Sequence, residues 1–198
     1  MAAPANLVKE RILSIPEYVA EFKSAYGDDV KITFEKIATT IATFEKTLVT
    51  PSKFDDFLNG DVKALNDAEQ KGLHTFIDKG CASCHNGIAL GGTMQPFELA
   101  GKYKFADVGD FKGDTKGMVK TPTLRNITET GPYFHNGSVW ALTDAIKEMG
   151  SIQLGIKITD AQADEMLTFL KALKGRKPAI TYPQLPEESA TTPKPTFD

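Results

Sequence analysis

Both cysteines of the chain, Cys81 and Cys84, fall in one stretch, DKGCASCHNGIALGG (residues 78–92), and His85 follows the second directly. Two thiols at this spacing can add to the two vinyl groups of haem as thioethers, while the adjacent imidazole ligates the iron. Gly80 before the motif and Gly87 after it permit tight backbone beside a flat ring. Two rival chemistries use the same residue types. A redox-active dithiol wants the motif at the start of a helix that follows a strand, where the thiol pKa is lowered. Here a helical pattern precedes the motif, and no strands alternate with helices around it. A closed zinc site needs four ligands and would have to recruit His74 and His135 from far apart. One covalently bound haem c is the expectation.

The second axial position decides what such a haem can do. A thioether fills the coordination sphere and raises the potential, giving an electron carrier, whereas an open position admits a small molecule. The candidates are Met94, Met118, Met149, Met166, His74 and His135. His74 is on the helical stretch leading into the motif and reads as a polar surface residue. Met166 belongs to an apolar helical stripe and reads as core. Met94 and Met118 lie in a loop that could pass over the far face. Met149 sits at an expected helix end, 149 − 85 = 64 residues beyond His85. A helix terminus fixes a ligand better than a glycine-flanked loop, which gives Met149 a slight edge over Met118. Spacing leaves the choice open.

The elements that must position these residues are mostly helical. SIPEYVAEFKSAYG opens on a Ser14-x-x-Glu17 capping box with Pro16 in the first turn and Gly27 as the stop. Phe34, Ile37, Ile41, Phe44 and Leu48 recur at steps of 3, 4, 3 and 4, an apolar stripe that reads as core and ends near Pro51. Asn66 and Glu69 form a second box, opening a helix with Leu73, Phe76 and Ile77 on one side that runs into the haem motif. Residues 86–137 are glycine-rich and aperiodic, a long excursion with at most a short hairpin. Val139, Leu142, Ile146 and Met149 mark another helix, capped by Gly150. Thr159 and Gln162 box a last one, striped by Ala163, Met166, Leu170 and Leu173 and stopped by Gly175. Five prolines after residue 177 forbid helix in the tail, which is expected to be extended and, by itself, mostly unfolded.

Length and composition bound the function. With 198 residues, 41% hydrophobic and 25% charged, the chain suits one sizeable core or slightly more. A net charge of −3 with no polybasic run argues against nucleic-acid and anionic-membrane partners. No stretch approaches a membrane span of ~18 apolar residues. The first residues contain no apolar signal region. Because haem attachment requires reduced thiols outside the cytoplasm, a periplasmic location is expected, with the leader processed or cut away.

The words GCASCHNGIALGG, PTLRN, GPYFHNGSV and MGSIQLG, with the tail YPQLPEESATTPKP, resemble the bacterial dihaem cytochrome c peroxidases from about Ser14 to the C-terminus. The resemblance implies two cytochrome c-like domains. An N-terminal haem reduces hydrogen peroxide to water, and a C-terminal haem with His and Met ligands takes electrons from a small cytochrome or copper protein. Cys81, Cys84 and His85 match the C-terminal haem motif, and Met149 matches its axial methionine. Thr130 and Pro132 match positions whose backbone carbonyls bind calcium between the domains. His135 matches a histidine near this haem and reads as buried, bonding backbone or a propionate. The departure is that only one haem motif is present. The peroxidatic haem, its pocket and the side-chain ligand for calcium are expected to lie outside these residues, making the chain a fragment or one section of a longer polypeptide. The expected fold is all-α: residues 1–50 a helical remnant of the peroxidatic domain, 51–177 a cytochrome c-like haem domain with long irregular loops, and 178–198 an extended proline-rich tail. The expected role is electron relay to the peroxidatic haem, with homodimerisation a further expectation. A stand-alone monohaem electron carrier is the alternative.

Overall fold

The computed structural model describes residues 3–96, 99–103 and 114–195. Parts of the glycine-rich excursion, 97–98 and 104–113, lie outside the described residues. Among the described residues, seven α-helices, two short 3-10 helices and one two-stranded sheet make up the regular structure, so the all-α expectation holds. The chain divides into two compact units, one formed by Met1–Val49 with Pro178–Asp198 and the other by Thr50–Lys177.

In the first unit, α1 (Ala5–Leu13) is a helix that the sequence patterns did not signal. It displaces the expected Ser14 box. Ser14 caps the end of α1, its hydroxyl donating to the Arg11 carbonyl at 2.7 Å and meeting Thr192 Oγ1 at 2.9 Å. The next helix, α2 (Pro16–Tyr26), therefore starts from Ile15, with no side-chain cap. Proline at the first helical position suits a site whose N–H has no intrahelical partner. Helix α3 (Phe34–Glu45) carries the apolar stripe, but the stripe is not core. Ile37 is 6% exposed, whereas Ile41 and Phe44 are 54% and 55% exposed. The described residues of the tail, 178–195, have no regular secondary structure, yet they are tied down. Arg11 donates to the Pro193 carbonyl and pairs with Glu188, and Thr192 is buried.

The second unit has its core where α5 (Asp67–Asp78) crosses α7 (Asp160–Lys171). Both begin with the expected capping boxes, Asn66 with Glu69 and Thr159 with Gln162. Gly72 is the contact point: a Cβ there would lie 2.1 Å from the Glu165 carbonyl oxygen. Leu65, Phe76, Met166, Phe169, Leu170 and Leu173 fill the core, and the Phe169 ring lies 5.6 Å from Phe76 and 5.4 Å, edge-on, from Phe54. Each such fully buried side chain contributes about 1.5–3 kcal/mol relative to exposure. Phe54 comes from α4 (Lys53–Leu58), a short helix with its own Ser52–Asp55 capping box that hydrophobic periodicity is too brief to reveal. The excursion holds the hairpin of β1 (Met94–Pro96) and β2 (Met118–Lys120), paired in antiparallel register Gln95↔Val119.

The helix after the excursion, α6 (Leu142–Leu154), runs past its expected end. Gly150 is not its cap but a buried mid-helix residue, where a Cβ would meet Ile158 Cγ1 at 2.6 Å. The left-handed cap falls at Gly155, φ 63°. Val139 precedes the helix and bridges to Tyr133 instead. Helix α7 ends at Lys171, with Ala172 at its cap, so Gly175 is not its stop and serves instead as a contact. Its N–H donates to Asn126 Oδ1 at 2.8 Å, and a Cβ would lie 2.3 Å from the Thr50 carbonyl oxygen.

Candidate haem-binding site

Helix α5 delivers the motif. Its C-terminus turns at Gly80, φ 83°, into a tight 3-10 turn, Cys81–Ser83. Cys81, Cys84 and His85 then line a cavity of about 640 Å³ whose wall is mostly apolar. The rest of the wall includes the hairpin at Gln95, Pro96, Val119 and Lys120, and α6 at Ala145, Ile146, Met149 and Gly150. Burial pushes the Cys81 thiol up, partly countered by a hydrogen bond from its backbone, while the neighbouring Cys84 adds to the rise. A thiol held in its protonated form is the opposite of what a reactive dithiol centre requires.

The His85 ring is oriented by backbone. Its Nδ1 lies 3.2 Å from the Leu90 carbonyl oxygen, so Nδ1–H donates there and Nε2 keeps its lone pair. Burial lowers the His85 pKa, and hydrogen bonds to the carbonyls of Leu90 and Pro122 recover part of that loss. Phe76 packs beside the ring at 6.4 Å.

Of the other candidate ligands, Met149 and Met166 line the cavity, while Met94, Met118 and His74 are not among its lining residues. Met166 is fully buried in the α5–α7 core. Met149 is half-buried on the wall, and it stands in the middle of α6 rather than at a helix end, because Gly150 continues the helix. His135 also reaches the cavity, but it is exposed rather than buried, with its Nδ1 3.4 Å from the Tyr103 hydroxyl. Thr130 and Pro132 are exposed on either side of Gly131. Their two carbonyls fall well short of the ~6–8 oxygens that calcium takes. Among the described residues no group of three or more His, Cys, Asp or Glu could hold a metal ion. Calcium does not fit these residues alone, whereas haem does. The cavity lies within the range of roughly 300–1,000 Å³ usual for cofactor sites, and two thiols, an imidazole and a thioether share its wall.

Sequence patterns missed a polar anchor behind the motif. Asp55 receives both ends of the Arg125 guanidinium at 2.7 Å, and its Oδ2 also accepts from the Ser52 backbone N–H and hydroxyl at 2.7 and 2.8 Å. Burial alone would raise the Asp55 pKa, but hydrogen bonds from Arg125 and Ser52, with the guanidinium charge, outweigh it and hold the carboxyl low. Next to it, Asn126 adopts φ 59° and clamps two segments, bonding Thr50 Oγ1 at 3.0 Å and the Gly175 N–H at 2.8 Å. Neither the Ser52–Asp55 box nor its pairing to Arg125 was among the sequence expectations, and only the box is a local pattern.

Comparison with known proteins defines the class first: residues 69–174 match the cytochrome c family, and residues 1–63 match the di-haem cytochrome c peroxidase family. The chain is 41% identical to the cytochrome c551 peroxidase of Pseudomonas aeruginosa and 39% identical to that of Nitrosomonas europaea, over 98% of its own length in both cases. It spans 60% of the length of each of these relatives. The crystal structure of a MauG-like protein associated with microbial copper homeostasis shares the fold, with a TM-score of 0.64 at 24% identity, over 88% of this chain and 63% of that one. The chain belongs to the di-haem cytochrome c peroxidase family and contains its cytochrome c domain. That family and that domain imply haem c. They do not favour a stand-alone monohaem carrier.

Proposed function

We propose that this chain is the electron-transfer section of a cytochrome c peroxidase, passing electrons from a small redox protein toward a second haem where hydrogen peroxide is reduced. The observation that carries the reading is the sharing of one apolar cavity by Cys81, Cys84, His85 and Met149. When bound, haem supplies a one-electron iron centre. The chain's own residues do the rest. Cys81 and Cys84 would fasten one edge through thioethers, His85 would present Nε2 with Nδ1–H engaged by Leu90, and Met149 would offer its thioether from the middle of α6. If His85 and Met149 both bound the iron, these residues would leave it no place to take peroxide, and peroxide chemistry would belong to the second haem. Residues 1–50 and the tail belong, in this reading, with that second haem domain. Calcium at Thr130 and Pro132 would need further oxygen ligands from the same source. A periplasmic location and homodimerisation accompany the proposal.

The absorption spectrum tests the ligand set. The haem-loaded chain is expected to show the far-red methionine–iron(III) band, to lose it in Met149→Ala and to keep it in Met118→Ala. Loss in Met118→Ala alone would overturn the assignment. Turnover of peroxide by these 198 residues at the rate of a complete family enzyme would overturn the relay role.

A further inference from the structure

The Leu90 carbonyl that orients His85 is held in place by a set of bonds from one neighbouring segment. Residues Ile88, Ala89 and Leu90 expose three successive carbonyls, and residues 123–125 cover all three. Arg125 Nε donates to Ile88 O at 2.5 Å, the Thr123 hydroxyl to Ala89 O at 2.6 Å and the Leu124 N–H to Leu90 O at 3.2 Å. The loop needs such support. Leu90 sits at φ 47°, a conformation that costs a residue with a Cβ, and turn bonds Leu90 N to Gly87 O and Gly91 N to Asn86 O set only its local curl. The two segments also touch at Gly91, where a Cβ would lie 2.3 Å from the Pro122 carbonyl oxygen. Arg125 is itself fixed from behind, its fork on Asp55 and its Nη1 3.3 Å from Ser52 Oγ, at the start of α4. The path from the core to the imidazole thus runs from α4 through Asp55, Arg125 and the Ile88 carbonyl to the Leu90 carbonyl and His85 Nδ1–H.

We propose that Arg125 is a positioning residue for the His85 imidazole, with Thr123 as its helper, and that the two tune the ring by fixing the loop whose Leu90 carbonyl accepts the Nδ1–H bond. Such bonds to the outer nitrogen set ring orientation and raise ligand basicity. A more basic imidazole stabilises the oxidised iron, so loosening the loop raises the reduction potential. Lysine cannot replace the function, because it lacks the planar fork that reaches Asp55 and the Ile88 carbonyl together.

The inference rests on the haem reading above, and the experiment separates the two. In the haem-loaded chain, Arg125→Lys is expected to shift the reduction potential upward and to speed solvent exchange of the His85 Nδ1 proton seen by NMR. Thr123→Val, which removes the exposed hydroxyl that donates to Ala89 O and accepts from the Arg125 N–H at 3.3 Å but leaves the guanidinium in place, is expected to shift both the same way by less, and it keeps the test open should Arg125→Lys fold poorly. Asp56→Asn breaks the neighbouring exposed Arg176–Asp56 pair and is expected to leave both readouts unchanged. Unchanged potential and proton exchange in both loop variants would overturn the positioning role. A wild-type chain carrying no haem on Cys81 and Cys84 would instead overturn the haem reading.

Discussion

Cys81, Cys84 and His85 fall within five residues, so the chemistry they specify could be read without any knowledge of the fold. Asp55 and Arg125 are 70 positions apart, and nothing local marks either as the other's partner. Their ion pair makes a measurable claim. The folded carboxyl is held below its unfolded value, so its contribution is full above that unfolded value, near ~3.9, and fades as pH falls through the lower folded value. With little of either side chain exposed, Asp55→Asn is expected to cost about 2–3 kcal/mol at neutral pH. Urea unfolding at pH 7 and at pH 3 should show the penalty shrinking in acid. An equal penalty at both would mean that charge is not what Asp55 contributes. Met149 illustrates the opposite case: the resemblance points to it, while the helix end expected there is absent because Gly150 packs on Ile158 inside α6.

At the scale of elements, capping boxes at Asn66 and Thr159 located two helix starts because the same side chains form in the sequence and in the fold. The Ser14 box failed because α1 claimed that serine for its own end. Stripes fared similarly. Ala163, Met166, Leu170 and Leu173 are buried because α5 covers them, but no sequence period says that Gly72 is where the two helices touch. Gly72→Ala is expected to destabilise the fold by about 1–3 kcal/mol through overpacking, despite alanine's better helix propensity. Thermal or urea unfolding reads the sign directly. A stabilised variant would show that the crossing has room to spare.

For the whole molecule, a chain spanning 60% of its relatives carries surfaces that the local pattern misjudges. The stripe of α3 had core periodicity, yet Ile41 and Phe44 face solvent in this chain, and periodicity alone cannot report whether a facing surface is present. Phe44→Ser is accordingly expected to change unfolding free energy by no more than about 0.5 kcal/mol, as exposed positions do. A loss of several kcal/mol in urea would show that the ring is packed after all.

The clamp at Asn126 has a consequence for how such proteins can be assembled. It holds Thr50 beside Gly175, and next to it the Arg176 N–H donates to the Pro51 carbonyl at 2.8 Å, so the haem-motif unit is entered and left at one spot. A cassette whose two ends are stitched together can be excised, transplanted into a host loop or exchanged between relatives without stretching the junction. In this chain one asparagine supplies both side-chain bonds of that junction, and the Arg176 N–H adds a backbone one.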